Sequence, residues 1–475
     1  MTLTDFSFLE PGRRWPPTDE KARIDRYDRC TLLFEGDHEA AFPGLTALDD
    51  DLDQITANWF KRSTTLICDL ASPLRLFADN QAVLDRIAEA NDLDLLVYDL
   101  FADILRFGNA VLKVRFDPRR GGIVERIDPR YWFPVVSPDD GRDVQAHCIC
   151  YNFSQYEDHI QRGYLRVEIH KPGSIENRLF RLDSGAAITS ELPISALERY
   201  SGMPSEVRTG VDDFLVVPLS GLLSSDGVFG LDDYGGIEGL VRELEKRLIR
   251  TSRTLDKFAD PNIVLPIENF SVNPDTNEPY LMNPWTGNPI FEELDIGGGR
   301  YIVSEVGETG TRPLPQYLTW DASLQNNFSQ IEEIKAELMA IGEISPALLG
   351  DVKSGLAESG SALKRLAIPT LAKVARLRAR VKRPLLEALR LCARLEAISR
   401  WPGAGELQNL TIEWGSALPE DRLEAAQIEQ LRKTAGLTST RSALARLDPD
   451  ASDEDLDWET AQISEERRDE SYQFV

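Results

Sequence analysis

Apolar positions recur at helical intervals in the first third of the chain and then change to the pattern of strands. Residues 81–107, QAVLDRIAEANDLDLLVYDLFADILRF, predict one helix that ends at Gly108. Short runs rich in β-branched and aromatic residues follow, separated by turn formers such as DPRRGG and SPDDGRD. These runs are 110–116, 122–127, 145–153, 164–170, 177–182 and 214–219. The pattern predicts an antiparallel α+β lobe.

Two amphipathic helices follow, separated by a segment of different composition. Residues 237–258 and 321–341 each carry an apolar stripe, and Gly342 ends the second helix. In this second helix, the polar residues Gln325, Asn326, Gln330, Glu333 and Glu337 lie away from the stripe. Residues 261–320 are rich in Pro, Gly and Asn, which predicts a compact excursion with short strands. Residues 344–361 contain too much Gly, Ser and Pro for a continuous helix, so we predict a loop.

The C-terminal quarter begins with a long helical pattern over residues 362–399, about 55 Å at ~1.5 Å per residue. Pro369 and Pro384 are expected to kink it. A strand over 410–414 and short helices over 419–435 and 438–447 follow. The remainder is an acidic tail, which we expect to be mobile or peripheral.

The charge balance narrows the function classes. The chain has 475 residues, with 53 Lys and Arg against 79 Asp and Glu, a formal net charge of −26. A basic-patch nucleic-acid binder gains affinity from Lys and Arg that replace counterions at phosphates, so this charge argues against one. It leaves open a protein that DNA slides past.

One segment opposes this balance, because residues 362–399 are strongly basic. The candidate residues on it are Lys373, Arg376, Arg380 and Arg383. They could pair with acidic segments of this protein, within or between subunits, or they could contact DNA. The first interpretation is favoured, because the basic residues are spread around the helix.

The cysteine, histidine and aspartate residues provide few candidates for a catalytic or metal-binding site. The five Cys are too few for a disulfide scaffold and are expected to be reduced. His147, Cys148 and Cys150 share a predicted strand, where alternation points His147 away from the cysteines, so buried strand cysteines are favoured over metal ligands. Runs at Asp49, Asp50, Asp51 and Asp53, and at Asp92 and Asp94, could bind Mg²⁺ in a nuclease, but a solvated surface is favoured. We expect no cofactor.

The sequence also lacks the features of secretion, membrane insertion and nucleotide binding. The N-terminus has no basic start and apolar run, and no stretch of about 18 uncharged apolar residues exists. We therefore expect a soluble intracellular product. No phosphate-cradling loop or nucleophile elbow is present.

Three stretches together resemble the portal (head-to-tail connector) proteins of tailed double-stranded DNA bacteriophages, particularly the siphophage type. The first, 105–135, is similar to the family's passage of helix, Gly-Asn, strand, turn, strand and Pro-x-x-x-Pro-Val-like end. The second, 341–389, resembles the end of the stem, the tunnel loop and the long kinked helix, with a Ser-Gly-x-Ala-Leu start. The third, 412–466, resembles the crown, with a Leu-Pro-x-Asp entry and Ala-Gly-Leu-x-Ser.

The resemblance implies an α+β portal fold that assembles into a ring, commonly of twelve subunits, at one capsid vertex. The implied parts are a wing (1–235), stem helix 1 (236–260), a clip (261–320), stem helix 2 (321–342), a tunnel loop (343–361), a long kinked helix (362–405), and a crown with an acidic tail (406–475). Stem residues Gln325, Gln330, Glu333 and Glu337 would line the channel. Tunnel-loop residues would be Asp351, Lys353, Ser354, Gly355, Glu358 and Ser359.

The implied function is structural and non-enzymatic. The ring would pass double-stranded DNA during packaging and ejection, and would bind the terminase large subunit, the head-tail adaptor, and the major capsid and scaffolding proteins. It would reside in the virion, after assembly in the host cytoplasm, without a membrane partner. Lys353 could touch phosphate transiently or pair with Asp351 or a neighbouring subunit's carboxylate. The alternatives are a virion scaffold or adaptor that forms no channel, and a Mg²⁺-dependent nuclease.

Overall fold

The computed structural model describes residues 3–44, 55–157, 160–223, 227–259, 324–350, 364–417, 422–448 and 451–472, and short strands between 262 and 318. The chain divides into two compact units. The first consists of Met1–Thr65, Ala102–Val111 and Ile127–Ile344, and the second of Leu66–Phe101, Leu112–Arg126 and Ser345–Val475.

Helices and strands are mixed along the chain, as the α+β prediction requires. The described helices are α1 (Thr18–Glu35), α2 (His38–Ala41), α3 (Trp59–Ala71), α4 (Gln81–Ala90), α5 (Leu93–Phe107), α6 (Glu238–Ala259), α7 (Leu324–Ile341), α8 (Ile368–Ile398), α9 (Arg422–Thr434), α10 (Thr440–Leu447) and α11 (Asp453–Tyr472). The strands before α6 are β1 (Leu74–Phe77), β2 (Asn109–Asp117), β3 (Gly121–Ile127), β4 (Trp132–Val136), β5 (Val144–Glu157), β6 (Ile160–Lys171), β7 (Ser174–Leu182), β8 (Ile188–Leu192), β9 (Glu206–Arg208), β10 (Val216–Ser220), β11 (Leu222–Leu223) and β12 (Gly230–Leu231). The later strands are β13 (Asn262–Pro266), β14 (Phe270–Val272), β15 (Pro279–Met282), β16 (Pro289–Ile290), β17 (Tyr301–Ser304), β18 (Gln316–Leu318) and β19 (Thr411–Trp414). No helix in the described part of the chain is long and apolar enough to cross a membrane.

The first unit contains a six-stranded antiparallel sheet in the order β4-β5-β6-β7-β8, with β9 also paired to β7. Cys148 and Cys150 pair with Ile169 and Val167, and these residues share one buried face. Trp15 from the N-terminal segment packs against the same core. The six predicted strand runs all correspond to strands, so the prediction of an antiparallel α+β lobe is confirmed.

The segment between α6 and α7 contains short strands, as its composition predicted. Its described strands form two three-stranded sheets, β17-β13-β18 and β14-β15-β16. β13 is parallel to β17 and antiparallel to β18.

The predicted single helix over 81–107 is wrong, because the chain breaks between α4 and α5. The Asn91 side chain donates to the carbonyl oxygens of Ile87 and Gly122, at 2.8 and 3.0 Å, and accepts from the Val124 amide at 2.7 Å. Asp92 then adopts φ 44°, in the left-handed region. These contacts with β3 end the helix where apolar periodicity alone continues it.

Two predictions for the C-terminal part also require correction. The long helical pattern is not continuous, because residues 364–366 are helical, Ala367 is a turn and the long helix α8 begins at Ile368. Pro369 lies in the first turn of α8, where the missing N–H costs no helical hydrogen bond, so the interruption comes just before this proline and not within α8. Residues 362 and 363 lie outside the described residues. Pro384 lies inside α8. The acidic tail, which was expected to be mobile or peripheral, contains a helix that was not predicted from the sequence, α11 (Asp453–Tyr472). Ser452 Oγ accepts from the Asp455 amide at 3.2 Å and so caps this helix.

Candidate functional site

The predicted stem helices α6 and α7 pack against each other in the first unit. Val241 and Leu244 of α6 and Ile331, Ile334 and Leu338 of α7 are buried in one hydrophobic cluster. The α7 residues recur at intervals of three and four, so they lie on one side of the helix. This side is the apolar stripe that the sequence predicted, and it leaves the other side of α7 for solvent or a partner.

The exposed side of α7 is polar and acidic. Gln325, Glu333 and Glu337 are exposed, and Gln330 is half-buried. Lys335 is the one cation within Leu324–Ile341, and its ammonium lies 2.9 Å from Glu332 Oε1. This side therefore offers carboxylates and an amide, without an uncompensated cation to hold a phosphate.

Gly342 ends α7 at a point that excludes a side chain. Its amide donates to the Leu338 carbonyl oxygen at 2.9 Å. A Cβ added at Gly342 would lie 2.8 Å from that same oxygen. Glu343 then takes φ 55°, which turns the chain out of the helical direction. The predicted helix end is thus confirmed.

A buried hydrogen bond between His38 and Glu245 holds α6 in place, and the sequence did not reveal it. His38 Nδ1 lies 2.5 Å from Glu245 Oε1, and both side chains are fully buried. The Ala57 amide donates to the same Glu245 oxygen at 2.9 Å. Glu245 interrupts the apolar stripe of α6, and this interruption was the signal in the sequence that could have indicated a buried carboxylate. Its partner His38 lies 207 residues away and could not be identified from the sequence.

The residues predicted for the tunnel loop lie outside the described residues: Asp351, Lys353, Ser354, Gly355, Glu358 and Ser359. The described chain on both sides of them is held together in the second unit. The Ser345 amide donates to Thr370 Oγ1 at 2.8 Å, and both residues are buried. This hydrogen bond links the start of the segment to the first turn of α8.

The basic residues of α8 differ in exposure, and several exposed arginines share one side of the helix. Lys373 is buried, whereas Arg376, Arg380 and Arg383 are exposed. At ~100° per residue, the three exposed arginines fall within an arc of about 60°, and Arg390 falls close beside it. These exposed arginines share one side of α8, whereas the exposed Lys382 lies on another side, so the basic residues as a whole are not confined to one stripe.

Another basic residue of α8, Arg378, has a structural role. Its Nε donates to the Ala71 carbonyl oxygen at 3.0 Å, and its Nη2 donates to the Leu70 carbonyl oxygen at 2.8 Å. Partial burial lowers its pKa from the usual value. Arg378 therefore satisfies the carbonyls at the C-terminal end of α3, within the second unit.

The strand cysteines belong to the core. Burial raises the pKa of Cys148 to about 12 and that of Cys150 well above the usual value, so both remain neutral thiols. His147 points to the other face, where its Nδ1 accepts from Trp132 Nε1 at 3.1 Å. Burial lowers the pKa of His147 to about 3. The prediction of buried strand cysteines is confirmed.

The acidic runs do not form a converging carboxylate site in the described residues. Asp49, Asp50, Asp51 and Asp53 lie outside them. Asp92 and Asp94 are exposed beside a cleft of about 430 Å³ that Leu74, Leu84 and other residues of the second unit line. Among described side chains, no group of three or more His, Cys, Asp and Glu residues is placed to hold a metal ion.

Known proteins provide an independent comparison. No curated protein matches the chain. Among solved structures, it is similar to a chain in the virion of a native gene transfer agent particle, at 13% identity and a TM-score of 0.45, covering 92% of this chain and 96% of that one. It is also similar to a chain in the neck of an empty gene transfer agent particle, computed with C6 symmetry, at 14% identity and a TM-score of 0.47, covering 92% and 95%.

A family model matches most of the sequence. The model is that of the phage portal protein, SPP1 Gp6-like, and it matches residues 73–473. This range includes β1, both predicted stem helices, α8 and α11. The chain therefore belongs to the SPP1 Gp6-like family of phage portal proteins.

Proposed function

We propose that this protein forms a ring around a DNA channel at one vertex of a capsid. The ring would admit double-stranded DNA during packaging and release it during ejection. The observation that carries the proposal is the α6–α7 pair, which packs through one apolar side and leaves an acidic side without an uncompensated cation. Family membership supports a portal or connector role for this pair.

The acidic side of α7 suits a channel wall for a physical reason. A basic wall replaces the counterions of DNA and binds it in a salt-dependent way, which opposes continuous movement. Gln325, Gln330, Glu333 and Glu337 present hydrogen-bonding groups and negative charge instead. DNA would pass this surface with its own counterions retained.

The parts of the fold take their proposed roles from their order in the chain. Residues 1–235 would form the wing, 236–260 and 321–342 the stem, and 261–320 the clip. Residues 343–361 would form the tunnel loop, 362–405 the long helix, and 406–475 the crown. Strands β13–β18 between the two stem helices agree with a compact clip.

The proposed partners follow from these parts. The clip would bind the terminase large subunit during packaging and the head-tail adaptor afterwards, while the outer surfaces would meet major capsid and scaffolding proteins. The protein would be assembled in the host cytoplasm and retained in the virion. Portal proteins are structural, so we propose no enzymatic activity.

Electron microscopy of the purified protein tests the proposal directly. We expect rings with rotational order, commonly twelvefold, and a continuous central hole. Monomers alone at every salt concentration would contradict the proposal. Rings with a closed centre would favour a scaffold or adaptor that forms no channel.

A deletion tests the tunnel loop. Removing residues 351–358 should leave rings intact while DNA packaging or retention falls, because the segment's flanks remain joined by the Ser345–Thr370 hydrogen bond. Normal packaging by the deleted protein would remove the proposed role of the loop. The substitution Lys353→Ala removes the proposed phosphate contact but keeps the length of the loop, so it distinguishes the role of this side chain from that of the loop as a whole.

A second truncation tests the clip. Shortening the chain between residues 268 and 312 should abolish binding of the terminase large subunit while ring formation persists. Unchanged motor binding by the shortened ring would be inconsistent with this assignment.

A further inference from the structure

Few of the described side chains of the C-terminal helix α11 are buried within the chain. Of its side chains that the structure describes, 454–465, only Leu456 is buried. Trp458 is 63% exposed. A helix of this length in a folded protein owes most of its stability to packing of one side, and Trp is enriched at the centres of interfaces. Exposed Trp458 therefore marks the side of α11 that a partner covers.

The chemistry of that side is acidic. At ~100° per residue, Glu454, Trp458 and Glu465 fall within an arc of about 40°. All three are exposed, and the two carboxylates are about 16 Å apart along the helix axis. We call these three residues the acidic face of α11. Its partner must supply cations over a similar length.

The second unit carries such a surface on α8. Arg380, Arg383 and Arg390 are exposed and fall within an arc of about 80°, and they span about 15 Å along the helix. Glu387 is the one carboxylate on this side. We call the three arginines the arginine face of α8. Arginine also stacks on indole rings, so it can engage Trp458 as well as the carboxylates.

We propose that the acidic face of α11 in one subunit binds the arginine face of α8 in the neighbouring subunit. The inference rests on the proposed ring and deepens it by naming a subunit contact. Two different surfaces of the same chain make a heterologous interface, which generates a closed ring when the rotation permits. The same pairing neutralises a basic stripe inside a strongly acidic assembly.

Charge reversal in two separate variants tests the pairing. One carries Arg380→Glu and Arg383→Glu, and the other carries Glu454→Arg and Glu465→Arg. Each alone should lower the ring fraction by about tenfold or more at low salt, because like charges then face each other across every interface. Matched controls are Lys382→Glu and Glu459→Arg, exposed positions on other sides of the same helices, which should assemble normally.

Mixing the two variants gives the decisive result. In a ring with alternating variants, each reversed α8 faces a reversed α11, and each native α8 faces a native α11. Equimolar mixing should therefore restore rings, as measured by sedimentation and electron microscopy. A contact within one subunit is restored only when all four substitutions share a chain, so failure of the mixture would overturn the proposal.

The remaining outcomes are also distinct. Rings that form normally from both variants would overturn the pairing while leaving the portal proposal intact. If the α8 variant alone forms normal rings but loses packaged DNA, the arginine face binds DNA and not a neighbouring subunit. A wild-type protein that forms no rings would contradict the proposed function itself, and this inference with it.

Discussion

Arg86 of α4 and Glu396 of α8 form a bidentate ion pair within the second unit. Arg86 Nη1 and Nη2 donate to Glu396 Oε1 and Oε2 at 2.8 and 2.6 Å. The Gly122 amide donates to the same Oε1 at 2.9 Å. A Cβ added at Gly122 would lie 2.7 Å from Cys392 Cβ, so β3 can approach α8 only with glycine there. One carboxylate thus ties a helix and a strand to α8.

The two partners of this pair differ in burial, and substitution of either one should lower the stability for a different reason. The Glu396 side chain is 0% exposed and that of Arg86 is 32% exposed. Glu396→Ala should lower the free energy of unfolding by about 3 kcal/mol or more, because it removes a buried acceptor of three hydrogen bonds. Arg86→Ala leaves a buried carboxylate that still accepts from Gly122, and should also be costly.

Urea denaturation measures both effects. The exposed Glu387→Ala on the same helix is the control, and it should stay within about 0.5 kcal/mol of wild type. Equal stabilities of Glu396→Ala and Glu387→Ala would show that the pair does not hold the second unit together.

The burial of His147 predicts that the stability of the first unit depends on pH. Burial lowers its pKa from 6.5 to about 3, so below pH 6.5 the unfolded chain binds a proton that the folded chain does not. This contribution to stability is present above pH 6.5 and is lost as the pH falls towards the folded pKa, at about 1.4 kcal/mol per pH unit. His147→Gln removes the titration and retains an acceptor for Trp132 Nε1.

The difference in the free energy of unfolding between wild type and His147→Gln isolates the titration of His147, because the carboxylates titrate alike in both proteins. Between pH 6.5 and pH 5, the stability advantage of wild type over His147→Gln should shrink by about 2 kcal/mol, measured by urea denaturation. A constant difference across that interval would mean that the folded protein protonates His147 as readily as the unfolded chain.

The sequence predicted those elements whose stability is set locally. Strands β5 to β7 agree with the predicted strands because alternation and turn formers are local signals in the sequence. Helix α7 agrees with the predicted helix because its apolar stripe and the terminating Gly342 are local signals as well. Helix α1 went unnoticed because its apolar side is short and includes a carboxylate: Tyr27, Cys30 and Leu33 are buried together with Glu20. Glu20 is buried there and lies 2.5 Å from Arg23 Nε, and Arg23 donates to the Pro129 and Trp132 carbonyl oxygens. These hydrogen bonds join residues 106 and 109 positions apart, so they produce no periodic pattern in the sequence.

The candidate site shows the same division. The acidic side of α7 could be predicted from one helix, whereas the burial of Lys373 and the hydrogen bonds of Arg378 to the carbonyl oxygens of Leu70 and Ala71 depend on residues distant in the chain. The end of α4 at Asn91 also depends on residues distant in the chain, because the Asn91 side chain forms hydrogen bonds with β3.

Asn91→Ala tests that break. The substitution removes two donated hydrogen bonds and one accepted bond, and leaves the Val124 amide without its partner. We expect a loss of about 2 to 3 kcal/mol in the free energy of unfolding. Asn80→Ala is the matched control, because it removes only the N-cap bond of α4 and should cost about 1 kcal/mol. If both variants lose the same amount, the bridge to β3 is not what ends α4.

The exposed side of α7 provides the last prediction, which concerns the charge of the proposed channel. Glu333→Lys together with Glu337→Lys should leave ring formation unchanged, because both side chains lie outside the apolar cluster between α6 and α7. The added cations would bind phosphates as DNA passes, so the packaging rate should fall severalfold, and raising the salt concentration should partly restore it. The neutral variant Glu333→Gln with Glu337→Gln separates added attraction from lost repulsion, and should package close to the wild-type rate. If the lysine variant packages DNA at the wild-type rate in low salt, this side of α7 does not face the moving DNA.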